Sequence, residues 1–133
     1  MEPSFHSGQL VLLRKNFKDL QVGDVVAFKS EGLKGILIKR IAAGPGDTVE
    51  ITDGTLYLNG VPETEAFEGK SIEFAGSAAE PITLKEGEYF VLGDNVANSK
   101  DSRYEVVGCV RQMDIVGKVV SDRNFKRKTE LVE

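Results

Sequence analysis

Hydrophobic positions recur along this chain with a period of two rather than 3.6. Short runs rich in Val, Ile, Leu and Phe predict strands at Leu10–Leu13, Asp24–Phe28, Gly35–Ile41, Thr48–Ile51, Thr55–Leu58, Ile72–Phe74, Glu88–Leu92 and Asp114–Val120. Turn signals separate them. Asp53-Gly54 and Asn59-Gly60 are the strongest, because both pairs accept the positive φ of tight hairpins. Gly23-Asp24, Pro45-Gly46 and Gly93-Asp94 are others. No amphipathic stretch of helical length interrupts the series. The expectation is an all-β domain, antiparallel and barrel-like.

Composition adds little to this and removes a good deal. A chain of 133 residues with 29% charged and 41% hydrophobic residues is an ordinary globular domain, neither disordered nor collagenous. Its 17 Lys and Arg stand against 21 Asp and Glu, a net charge of −4, which argues against a dedicated nucleic-acid binder. A single cysteine, Cys109, excludes an internal disulfide, and a single histidine, His6, argues against a multi-histidine metal site or a Ser-His-Asp triad. No apolar run approaches the roughly 18 residues needed to cross a bilayer, and no signal peptide is visible, so the stretch as written reads as soluble. Residues 60–86 gather Glu63, Glu65, Glu68, Glu73, Glu80 and Glu86, and read either as a small β lobe inserted into the main sheet or as an acidic surface excursion. Beyond Ser121 the mixed charges read as a solvated tail.

One lysine invites attention. Alternation along Gly35–Ile41 puts Leu37, Lys39 and Ile41 on one face and Ile36, Ile38 and Arg40 on the other. An ammonium between branched aliphatics is desolvated, which lowers its pKa. A lysine that is neutral near pH 7 can take a proton from a hydroxyl nucleophile. The competing reading is a strand-end lysine that snorkels to water.

Its surroundings change the balance. Met1-Glu2-Pro3-Ser4-Phe5 opens the chain, and Val22–Phe28 follows. Lys39-Arg40-x₄-Pro45-Gly46-Asp47 and Gly93-Asp94-Asn95-x₃-Ser99-x-Asp101-Ser102-Arg103 come later, in that order. Together they resemble bacterial type I signal peptidases, the Ser-Lys endopeptidases that remove signal peptides from exported proteins. The resemblance runs from Met1 to about Lys118.

The resemblance implies roles residue by residue. Lys39 corresponds to the family's general base. Ser99 corresponds to the serine whose hydroxyl orients it. Asp101 and Arg103 correspond to a charged pair behind the site, and Asp94 lies in the turn that supports it. Leu37, Ile38 and their strand correspond to the element that pairs with the signal peptide as an added β-strand. Met1 and Phe5 help wall the small pockets that choose Ala. The family's nucleophilic serine immediately precedes the Met of its Ser-Met-x-Pro box, so its position falls just ahead of Met1. Ser4 matches the residue after the proline and is not that nucleophile. Two departures stand out. Gln9 occupies the place of a usual Asp, and Tyr104-Glu105-Val106-Val107 lengthens the path from Arg103 to Gly108 by two residues.

The resulting expectation is an enzyme of the signal peptidase class, a serine endopeptidase with a catalytic core of residues 1–52 and 87–120, an inserted lobe of 53–86 and a tail of 121–133. The resemblance implies no metal or organic cofactor. Its partners would be Ala-x-Ala signal peptides and, in a full-length parent, the cytoplasmic membrane, with the catalytic domain on its outer face. The stretch Met1–Glu133 is expected to be inactive because half of the Ser-Lys dyad precedes it. Two rivals are a self-cleaving repressor-type Ser-Lys peptidase of related fold, and a non-catalytic relative that binds extended peptides in pilin or secretion assembly.

Overall fold

The computed structural model describes residues 12–63, 66–67 and 70–120. Among these, ten strands occur: β1 (Leu12–Arg14), β2 (Val25–Ser30), β3 (Gly35–Ala43), β4 (Thr48–Thr52), β5 (Thr55–Leu58), β6 (Val61–Pro62), β7 (Ile82–Thr83), β8 (Glu88–Leu92), β9 (Val110–Arg111) and β10 (Ile115–Val120). Three single 3₁₀ turns join them, and no α-helix is present among the described residues. One sheet has the order β1-β10-β2-β3-β8-β9, the other β6-β5-β4-β7, and every pairing is antiparallel.

The all-β, antiparallel expectation therefore holds, but the sheets are open rather than closed into a barrel. Closure would require the two edges of a sheet to pair with each other, and β1 and β9 do not. The core is sealed instead by one sheet packing on the other. A bulge between Ile41 and Ala43 breaks the alternation of β3. It turns Ala42 and Ala43 into a cluster with Val49, Ile51, Leu56, Phe67, Ile72, Leu84, Phe90 and Leu92, which spans both sheets. The other face of β8 sends Tyr89 and Val91 into a second cluster with Val26, Phe28, Ile41, Val110 and Ile115.

Local chemistry sets the turns. Asp53 and Gly54 adopt φ of 50° and 79°, and Thr52 faces Thr55 across this two-residue hairpin. Asn59 and Gly60, at 54° and 83°, repeat the device between β5 and β6. The strand expected at Ile72–Phe74 is only one bridge, Ile72 to Gly54. Beyond it the chain leaves the sheet because the Phe74 carbonyl accepts a hydrogen bond from Arg103 Nη1 at 3.0 Å and the Phe74 ring packs on Tyr104. β4 is bonded to β5 and β7, so the second sheet starts at Thr48. Leu10, Val11 and the tail 121–133 lie outside the described residues, as do Glu65 and Glu68.

Candidate active site

β3 carries the central side chain. Lys39 shares its face with Leu37 and Ile41, both of which pack in the cluster around Val26 and Phe28. Burial pulls the Lys39 ammonium below the ordinary lysine value; Asp101 opposes this, Arg103 reinforces it and Asp94 opposes it again. Lys39 Nζ donates to Ser99 Oγ at 2.9 Å across 60 residues of sequence. Ser99 is itself buried and follows the 3₁₀ turn Val96–Asn98. The segment Gly93-Asp94-Asn95, expected as a tight turn, is a bend that feeds this 3₁₀ turn.

Behind Ser99 sits a buried ion pair. Arg103 Nε donates to Asp101 Oδ1 at 2.8 Å and Nη2 to Asp101 Oδ2 at 2.9 Å. Arg103 also donates to the carbonyls of Phe74, Val96 and Ser99, which ties three segments to one guanidinium. Asp101 Oδ2 accepts the Gly93 N–H at 3.1 Å. Ser102 Oγ accepts the Val91 N–H and its own N–H donates to the Val91 carbonyl, so the loop is laced along the end of β8. With both charges paired and their remaining valences filled, the arrangement fixes the backbone of residue 99.

A second ion pair was not anticipated from the sequence. Arg40, on the face opposite Lys39, forks onto Asp94 with Nε–Oδ1 and Nη2–Oδ2 distances of 2.8 Å, and its Nη1 donates to the Gly23 carbonyl. The hydrogen bond to Asp94 raises the Arg40 pKa further above its ordinary value. The signal available was register: β3 and β8 pair Arg40 with Leu92, which leaves Asp94 two residues beyond.

β3 also offers an edge. β2 covers it from Gly35 to Arg40, whereas β8 pairs only with Arg40, Ile41 and Ala43. Gly35–Lys39 therefore have no strand on the β8 side among the described residues. Ile41 exchanges backbone bonds with Gly23 and Asp24. Alternation then directs the N–H and C=O of Ile36 and Ile38 away from β2, toward the open edge. Leu37 and Ile38 thus lie just ahead of Lys39 along this open edge. Met1 and Phe5 lie outside the described residues, as does Ser4. Among the described residues no helix is long and apolar enough to cross a membrane.

The family model for signal peptidase, peptidase S26, matches residues 1–122. Signal peptidase I V of Bacillus subtilis strain 168 is 37% identical over 136 residues, covering 92% of this chain and 79% of that protein. Signal peptidase I T of the same strain is 34% identical over 128 residues, covering 88% of this chain and 65% of that protein. The chain thus spans about two thirds of the length of the latter relative. The crystal structure of a signal peptidase I from Enterococcus faecalis V583 superposes with a TM-score of 0.63 at 36% identity, covering 80% of this chain and all of the other. This chain belongs to the peptidase S26 family.

Proposed function

We propose that this chain is the catalytic part of a type I signal peptidase that cleaves Ala-x-Ala signal peptides from exported precursors by a Ser-Lys mechanism. The observation that carries the reading is the 2.9 Å contact between a desolvated Lys39 and Ser99, set beside the open main-chain edge at Ile38. In this reading the nucleophile is the serine that the family's Ser-Met-x-Pro box sets at the position matching the one ahead of Met1. The neutral Lys39 amine takes the proton from the serine hydroxyl as its Oγ attacks the scissile carbonyl. Lys39 then delivers that proton to the leaving amine as the C–N bond breaks. Water then attacks the acyl carbon as Lys39 takes its proton, and Lys39 returns that proton to the serine Oγ as the ester C–O bond breaks, releasing the acid. Ser99 holds the lysine without adding charge; a carboxylate in its place would favour the ammonium and spoil the base.

Asp101, Arg103 and Asp94 position this machinery. Leu37 and Ile38 hold the substrate strand, with Met1 and Phe5 lining its alanine pockets. Residues 53–86 act as a lobe on a catalytic core of 1–52 and 87–120, and the parent works at the outer face of the cytoplasmic membrane.

The test is cleavage of an Ala-x-Ala precursor in detergent. Met1–Glu133 should give no product, and the same chain preceded by a serine and a few further residues should give turnover. Lys39→Met should then abolish it, whereas Ser99→Ala should reduce it less. Turnover by Met1–Glu133 itself would move the nucleophile to Ser4 or Ser7. A folded, serine-extended chain that binds the precursor but never cleaves it would make this a peptide-binding module instead.

A further inference from the structure

Lys39, Val26, Lys118 and Arg14 form one cross-strand row over β3, β2, β10 and β1, so their side chains leave the same face of the sheet. The row ends in two cations placed directly opposite each other, Arg14 on Lys118, an arrangement that repels unless an anion intervenes. Asp24 answers only part of this charge, at 3.4 Å from Lys118. Arg14 and Lys18 have no carboxylate partner among the described residues. These cations, with Asn16 and the half-buried Phe17, line a pocket of about 270 Å³. The concentration is unusual in a chain of net charge −4, which as a whole repels anions.

We propose that this pocket binds a phosphate group, with the Arg14 guanidinium as its fork and Lys18 and Lys118 as point charges. Three cations around one hollow suit a compact, multiply charged anion. The volume admits a phosphate together with its ester substituent, so the group is either a soluble phosphate or the headgroup of an anionic lipid. The site stands on the face that carries Lys39, on the order of 10–15 Å away at about 4.8 Å per strand. A lipid held there would set that face close to a bilayer surface. This inference does not depend on the peptidase reading.

The experiment uses the full chain, the double variant Arg14→Gln/Lys18→Gln and a control, Lys70→Gln/Lys85→Gln, with the same charge change on residues that do not line the pocket. Thermal midpoints are read in inorganic phosphate against chloride at matched ionic strength. Co-sedimentation is read with phosphatidylglycerol vesicles against phosphatidylcholine vesicles. Phosphate should raise the midpoint of the parent and the control but not of the pocket variant. If phosphatidylglycerol vesicles also capture the parent, and the pocket variant about tenfold less, the phosphate belongs to a lipid. Stabilisation without vesicle capture assigns a soluble phosphate. Absence of both effects overturns the site, as does any effect that the pocket variant retains or the control loses equally.

Discussion

Gly93 lies so close beneath Ser99 that a β-carbon at position 93 would overlap Ser99 Oγ and stand 3.4 Å from Lys39 Nζ. Its φ is not in the left-handed region, so the requirement for glycine is space, not conformation. Gly93→Ala should therefore push Ser99 off the lysine. Overpacking of this kind costs typically about 1–3 kcal/mol. We expect a loss of that size in urea unfolding, together with at least a tenfold drop in cleavage by a serine-extended chain, roughly 1.4 kcal/mol of barrier. Unchanged stability and turnover would show that the Lys39–Ser99 contact tolerates displacement.

What the sequence disclosed follows from the range of the interactions involved. Asp53-Gly54 and Asn59-Gly60 were legible because a two-residue hairpin is decided by its own φ angles. Alternation seats Lys39 between Leu37 and Ile41, but by itself it leaves open whether the ammonium is desolvated or snorkels to water. Its link to Ser99, 60 residues away, came only through the family resemblance; nothing local to either residue encodes it. The Arg40–Asp94 fork escaped notice for the same reason, since it needs the register of β3 on β8. β6, β7 and β9 are two residues each, too short for any periodicity to register. At Ile72–Phe74 the apolar pattern matches the burial of Ile72, but Arg103 claims the Phe74 carbonyl and the chain leaves the sheet. Closure into a barrel is beyond the reach of the pattern, because a set of alternating strands looks the same whether the core is sealed by a ring or by a second sheet.

Asp101→Ala should leave the Arg103 guanidinium buried and uncompensated. Breaking such a pair from one side costs about 3–5 kcal/mol, and the loss should appear as a lower midpoint in urea. A second readout separates electrostatics from general damage. Asp101 raises the Lys39 pKa and Arg103 lowers it, so removing the carboxylate should drive that pKa further down. The rise of activity with pH in a serine-extended chain should shift to lower pH. A destabilised variant with an unmoved profile would deny Asp101 any electrostatic hold on Lys39.

Gly32, in the turn between β2 and β3, lies against the lengthened Tyr104–Val107 segment, where an added β-carbon would collide with the Val106 carbonyl oxygen. Gly32→Ala should lift that segment from the hairpin and disturb the edge at Ile36 and Ile38. Titration with an Ala-x-Ala peptide should show weaker binding, by about three- to tenfold, with a stability loss of roughly 1–3 kcal/mol. Gly35→Ala is the matched control, since its β-carbon would meet nothing closer than 3.9 Å, an ordinary contact. It should stay within about 0.5 kcal/mol of the parent. Equal effects at both positions would show that the contact with Val106 does not hold the edge.

Lys39 joins stability and activity through one proton. Burial lowers its pKa in the folded state, whereas the unfolded chain keeps a value of about 10.4. Below the folded value the lysine is charged in both states, and folding bears the whole cost of desolvating the ammonium. As pH rises through the folded value the buried amine becomes neutral, and the cost fades until pH exceeds the unfolded value, where it is gone. Lys39→Met should therefore be more stable than the parent at pH 7, by a margin that shrinks as pH approaches 10. Paired urea titrations at the two pH values measure it. The same titration governs catalysis in a serine-extended chain, where activity should climb as Lys39 loses its proton. Lys39→Arg retains a charge that cannot be removed in this range, so it should lose the general-base contribution, about 10²–10⁴-fold, at every pH. Near-full activity of Lys39→Arg with an unchanged profile would remove Lys39 from the chemistry and leave the S26 likeness as a statement about fold alone.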